Sequence, residues 1–109
     1  QWQWVVILLG DMRRRRVDPT LIAYNVAISA MEKSGQWVLA LAVLEEMLLE
    51  GLRADVISYS SAISACGRGR RWEIALELLE RMERSRVEAS VITYSALISA
   101  CEKGQQWRP

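Results

Sequence analysis

The sequence contains no histidine, and its two cysteines, Cys66 and Cys101, stand 35 residues apart. The lack of histidine removes the side chain most used for proton transfer near neutral pH and for metal ligation. No CxxC spacing occurs, so neither a zinc site nor a dithiol pair is supported. Each cysteine reads instead as a small buried apolar residue. No carboxylate pair recurs, and Glu45 and Glu46 read as solvated helix surface. With no cysteine set beside a base, the chain reads as a non-enzyme with no cofactor, no metal and no small-molecule substrate. The longest apolar runs, such as Val5 to Leu9, fall far short of the ~20 residues that span a bilayer, so no membrane association is expected. Prolines are scarce too: Pro19 and Pro109 are the only two, and neither interrupts a helical pattern. Net charge is +1. Charge alone therefore argues neither for nor against nucleic acid, and its placement has to decide.

What the chain does have is a period. Leu21 to Asp55 and Val56 to Ser90 align over 35 residues without a gap, with 13 positions identical. Tyr24 becomes Tyr59, Ala30 becomes Ala65, Trp37 becomes Trp72 and Met47 becomes Met82. Residues 91–109 repeat the first half, with Tyr94, Ala100 and Trp107 on schedule. Residues 1–20 match the second half, with Trp2 and Met12 in register. The copy preceding Cys66 places Met31 at that position. A fixed period over the whole chain predicts a stacked-repeat architecture. The chain opens inside a helical pattern without an initiator methionine, so it reads as a piece of a longer array. Any targeting segment upstream lies beyond assessment. A solenoid of this kind needs about three stacked repeats to stand alone.

Each repeat carries two helical patterns. Tyr24, Ala27, Ile28 and Met31 recur at spacings of three, four and seven, which is one apolar stripe of a helix. Gly35, Gly69 and Gly104 stand where a left-handed residue would end that first helix. Trp37, Ala40, Leu41, Leu44, Met47 and Leu48 give the buried face of the second. Its copy uses Trp72, Ala75, Leu76, Leu79 and Met82, with Glu73, Glu77, Glu80 and Arg81 outside. Trp2, Trp37, Trp72 and Trp107 extend these stripes and read as core; Trp4 falls outside the period. Thr20, Asp55 and Ser90 close the repeats and suit helix N-caps. The expected fold is all-α: an α-solenoid of 35-residue helix–turn–helix repeats. The stripe of Tyr94, Ile98 and Cys101 is expected to lack part of its cover.

The polar face of the first helix carries the functional signal. Asn25, Ser29 and Lys33 stack at four-residue spacing. Ser60, Ser64 and Arg68 follow in the second copy, and Ser95, Ser99 and Lys103 in the third. Ile22, Ile57 and Ile92 stand just ahead of the three rows. Laid side by side, such helices form a groove with apolar residues, hydrogen-bonding groups and a margin of cations. That chemistry suits single-stranded nucleic acid: cations for phosphates, apolar groups for base faces, amides and hydroxyls for base edges. The run Arg13 to Arg16 has no counterpart in the next copy, and cations in a last helical turn are favoured by the helix dipole without any ligand.

These features resemble the pentatricopeptide repeat family. The likeness rests on the period, the Tyr-Asn or Tyr-Ser pair opening each repeat, the Gly35-Gln36-Trp37 turn and the Ala-Leu-x-Leu-Leu-Glu-x-Met run of Ala75 to Met82. It covers the whole chain. The resemblance implies an RNA-binding superhelix that reads one base per repeat in a mitochondrion or chloroplast, in RNA processing, stability or translation. It further implies that the residue after the tyrosine and the last residue of the repeat select the base, and that the apolar residue near the start of the first helix wedges between bases. Asn25 with Asp55 would then favour U. Ser60 with Ser90 suggests a purine and leaves the choice open; Ser95 and Thr20 each belong to a pair whose other member is outside the sequence. Ile22, Ile57 and Ile92 would be the wedges, and Lys33, Arg68 and Lys103 the backbone contacts. Asp55 also reads as a plain helix cap, and one residue can do both. The alternative is a protein-interaction scaffold holding a peptide partner in the same groove.

Overall fold

The computed structural model describes residues 2–15 and 20–104, without the side chains at 2, 13, 100, 101 and 103. Six helices make up that part: α1 (Trp2–Arg14), α2 (Leu21–Lys33), α3 (Trp37–Leu49), α4 (Val56–Arg68), α5 (Trp72–Arg84) and α6 (Val91–Gly104). The first helices α2, α4 and α6 pack side by side in one layer. The second helices lie behind them, α3 against α2 and α4, and α5 against α4 and α6. Two layers of helices make a slab of 52 × 30 × 19 Å, an α-solenoid as the period required. No described helix is long and apolar enough to cross a membrane.

The core follows the stripes. Tyr24, Ala27, Ile28 and Met31 of α2 are buried, as are Tyr59, Ala62, Ile63 and Cys66 of α4. From α3 come Ala40, Val43, Leu44 and Met47, and from α5 Ala75, Leu78 and Met82. Each large apolar side chain so buried stabilises by about 1.5–3 kcal/mol. Several positions differ from the sequence reading: on α3, Val43 is buried while Leu41 and Leu48 are half-buried. On α5 it is Leu78 that is enclosed, while Leu76 lies exposed on the flank and Leu79 is half-buried. The stripe of α5 is rotated because it must face α4 and α6 together, a demand that its own sequence does not record. Trp37 and Trp72 are half-buried and pack at the margin of the core. On α6, Thr93 and Leu97 are buried, whereas Tyr94 and Ile98 are exposed. No described helix lies over that outer face. Trp107 and Pro19 lie outside the described residues, as do the side chains of Trp2 and Cys101.

Four helix ends use one device. The residue two past each C-cap donates back five residues, from Gln36 to Met31 (2.8 Å), Leu52 to Met47 (3.2 Å), Arg71 to Cys66 (2.8 Å) and Val87 to Met82 (3.0 Å). The residue just past each cap is left-handed: Gly35 (φ 72°), Gly51 (φ 83°), Arg70 (φ 60°) and Arg86 (φ 62°). This is the Schellman arrangement, which satisfies carbonyls that a helix end leaves unpaired. It corrects the reading of Gly69. The left-handed residue of the second repeat is Arg70, in register with Gly35, and Gly69 is the C-cap with φ −84°. Gly69 is glycine for a different reason. A Cβ there would lie 2.3 Å from Cδ1 of Trp37, whose ring is also held by the Arg71 guanidinium at 5.1 Å.

Neighbouring substitutions should therefore act in opposite directions. Arg70→Gly relieves a left-handed arginine and should stabilise by about 0.5–1 kcal/mol, the strain relieved less the added chain entropy. Gly69→Ala should destabilise by about 1–3 kcal/mol through overpacking against Trp37. Thermal or urea melts of the two variants read the signs directly.

Candidate nucleic-acid interface

The first helices meet through two polar seams built from the same three positions. At the α2–α4 seam, Thr20 and Asp55 cap their helices from extended backbone. Asp55 accepts the backbone N–H of Ser58 at 3.0 Å, and its own N–H donates to the Ser58 hydroxyl at 3.2 Å. Asn25 of α2 donates its amide to the same Asp55 carboxylate at 3.1 Å, and accepts from the Ser58 hydroxyl. A carboxylate cannot donate, so the amide nitrogen of Asn25 must be the atom facing it. At the α4–α6 seam, Ser90 caps α6 by accepting from the Thr93 N–H at 3.4 Å, and the Ser90 N–H donates to the Thr93 hydroxyl at 3.2 Å. Ser60 of α4 shares a 2.7 Å hydrogen bond with that hydroxyl.

Above the second seam lies a cleft of about 220 Å³ lined by Glu32, Val56, Ile57, Ser60, Ser61, Ser64, Ser90 and Ile92. Ile57 and Ile92 form two apolar walls, and both stand out from the surface at 56% and 71% exposure. Ile22 is exposed at 75% ahead of the first seam. The fold thus brings Ile57, Ser60, Ser64, Ser90 and Ile92 into one site. Ser60, expected on an open face, is buried with its hydroxyl engaged by Thr93. Thr20 and Ser95 are exposed. Arg68 is not a solitary cation, because its Nε lies 2.7 Å from the Glu32 carboxylate. Lys33 is exposed at the same margin, and the Lys103 side chain lies outside the described residues. Arg14 and Arg15 both reach back to Asp11, at 3.3 and 3.1 Å, and are solvated; Arg16 lies outside the described residues.

Three participants escaped the sequence reading. Glu32 stands seven residues after Asn25, a spacing that puts it on the same helix face and could have revealed it. Ser58 and Thr93 stand three residues after their caps, the spacing of a capping box, with a hydroxyl where glutamate is usual.

Two family profiles match. The profile described as pentatricopeptide repeat domain matches residues 42–103, and that described as PPR repeat matches residues 22–52. The chain belongs to the pentatricopeptide repeat family. The solved structure of the pentatricopeptide repeat protein PPR10 from maize is 30% identical with a TM-score of 0.85, covering 97% of this chain and 15% of that one. PPR10 solved in complex with an 18-nt psaJ RNA element is 31% identical with a TM-score of 0.83, covering 94% of this chain and 15% of that one. The chain thus corresponds to about 15% of the length of these relatives. No curated protein matches it.

In this pentatricopeptide repeat chain the two seams differ in charge. Burial alone would raise the Asp55 carboxyl, but hydrogen bonds from Ser58, Asn25 and the Ile57 N–H outweigh it and hold the group below its ordinary value. The second seam is made of neutral hydroxyls. Cys66, by contrast, is pushed up to about 11 by burial, so its thiol stays protonated and unreactive.

A lowered folded value means that Asp55 stabilises the fold fully above the ordinary carboxylate range and loses that contribution as pH falls through its folded value. Asp55→Asn keeps a capping side chain but removes the titration. The wild-type melting midpoint should fall below about pH 4 more steeply than that of D55N, and the two curves should converge at low pH. Melts across that range measure the difference, and parallel curves would contradict it.

Proposed function

We propose that these repeats bind single-stranded RNA in a sequence-selective manner along the layer of first helices, one base per repeat. The observation that carries this reading is the cleft between Ile57 and Ile92. Two protruding isoleucines offer faces against which a base can stack, and Ser60 and Ser90 offer hydroxyls at its edge. Family membership supports it, as does the likeness to PPR10, which has been solved with an RNA bound. The same membership supports action in a mitochondrion or chloroplast, in RNA processing, stability or translation.

In the first seam, Asn25 spends one N–H on Asp55 and one carbonyl lone pair on Ser58. One N–H and one lone pair remain. That donor–acceptor pair complements the acceptor and N–H of a uracil edge, so Asn25 with Asp55 selects U. Ser60 inclines the second seam toward a purine, and Ser90 leaves the choice of base open. Stacking supplies roughly 1–3 kcal/mol per base against an association cost of about 4–15 kcal/mol. Useful affinity therefore needs more repeats than two, and measurements belong in the intact protein.

Asn25→Ser keeps the Asp55 acceptor and shortens the reading group. Preference should move from U to G at a single nucleotide, by roughly 1–3 kcal/mol on the scale of base-edge contacts in DNA. Asp55→Asn must act at that same nucleotide. Binding to RNAs substituted one position at a time reads both, and an effect spread evenly over all positions would defeat the assignment. Among the cations, Lys33→Gln should reduce the log–log salt slope by about 0.7 if Lys33 meets a phosphate. Arg68→Gln should reduce it less, because Glu32 already neutralises that charge.

A further inference from the structure

We propose that Ser58 is a positioning residue for base selection: its hydroxyl holds the Asn25 amide in the orientation that reads a base, and Thr93 does the same for Ser60. The proposal rests on the RNA reading above and adds residues from the neighbouring repeat to it. Ser58 is fully buried, and its oxygen completes a closed circuit. The Asp55 N–H donates to Ser58, the Ser58 hydroxyl donates to Asn25, and the Asn25 amide donates to Asp55. Ser58 has a single hydrogen to give, with the Asp55 carboxylate 2.9 Å away as the other acceptor. Given to Asn25, it fixes the carbonyl oxygen while Asp55 fixes the nitrogen, and the amide plane is held at both ends. Without it, the carbonyl end loses its partner and the plane can turn about its last torsion, which is intrinsically soft.

Helix capping accounts for the Ser58 oxygen, which takes the Asp55 N–H as the reciprocal half of a capping box, but not for its hydrogen. Thr20 caps α2 by accepting the N–H of Ala23 at 3.3 Å, and Ala23, at the same register as Ser58, has no hydroxyl. The α2 cap therefore works through the backbone N–H alone, which alanine retains, and no cap calls for the hydrogen that Ser58 gives to Asn25. At the second seam the register is held by Thr93, fully buried, 2.7 Å from Ser60 and 3.2 Å from the Ser90 nitrogen. Both seams therefore place a buried hydroxyl from one repeat against the base-selecting side chain of the repeat before it.

The test compares Ser58→Ala and Ser58→Thr in the intact protein, the second carrying the side chain that the next seam already uses. Discrimination for U at the nucleotide facing Asn25 should fall roughly 2- to 10-fold in S58A, the loss of one hydrogen bond, with flanking nucleotides unaffected and S58T restoring it. Intact discrimination in S58A, even with a lowered melting midpoint, would reduce Ser58 to a part of the cap and overturn the proposal. A second readout needs no RNA: the Asn25 side-chain amide, followed by nitrogen-15 relaxation, should be ordered in wild type and S58T and mobile in S58A. An amide equally ordered in S58A overturns the positioning role. If wild type shows no base preference at that nucleotide, the RNA reading fails, and amide mobility alone then decides whether Ser58 holds Asn25.

Discussion

The array depends on how a buried helix start is satisfied. The first turn of every helix leaves N–H groups without intrahelical partners, and between packed first helices there is little water to take them. Asp55 answers this for α4, accepting from Ser58, yet its carboxylate is large enough to accept once more, and Asn25 of the preceding first helix fills that place. The cap of one helix thereby becomes the bond that joins it to the one before. Apolar stripes such as Tyr24–Ile28–Met31 supply most of the burial energy, but that energy is non-directional and would tolerate a slide of one helix along the next. Hydrogen bonds at 3.0–3.1 Å to a single carboxylate do not. Register between repeats comes from the polar seam, while cohesion comes from the stripe.

The two seams solve the same problem with different chemistry, and their properties diverge accordingly. A charged acceptor makes the first seam the stronger, since hydrogen bonds to ionised groups contribute about 1.5–3 kcal/mol against about 0.5–1.5 for neutral ones. It also makes that seam sensitive to acid. Ser60, Thr93 and Ser90 form a neutral seam whose hydroxyls can each turn to donate or accept, which leaves the reading group at Ser60 more adaptable than Asn25. On the proposed RNA reading, a more permissive base preference at the second repeat is the natural consequence. Rigidity at a reading group favours affinity as well, because less freedom remains to be lost on binding.

Much of this was legible in the chain. A 35-residue period and a 3.6-residue stripe are properties of sequence order, so the helix pairs, the cores of α2 and α4 and the capping residues could be read off. What could not be read depends on contacts between repeats. Gly69 looked like a helix terminator, but the left-handed residue is Arg70, and the glycine answers to a Trp37 ring 32 positions earlier. Leu78 rather than Leu76 is buried because α5 faces two helices at once. Ser60 is engaged because Thr93 of the following repeat reaches it. Arg68 is neutralised by Glu32 of the preceding one. For Gly69, Ser60 and Arg68, local pattern named the right neighbourhood and a residue about one repeat away settled the outcome.

That distribution of contacts changes what counts as the unit of recognition. By sequence the unit is a repeat ending at Asp55. By structure, the polar seam proposed to face a base is built from Asn25, Asp55 and Ser58, and the last of these belongs to the next repeat. The cleft at the second seam is likewise completed by Ile92 of the third copy and Glu32 of the first. A reading element therefore straddles a repeat boundary and cannot be specified by one repeat's residues in isolation. Exchanging a whole repeat would carry Asn25 and Asp55 together but would borrow residue 58 from whatever follows. With a serine or threonine there, the amide stays held at both ends; with an alanine, as at Ala23, the same pair loses its second support.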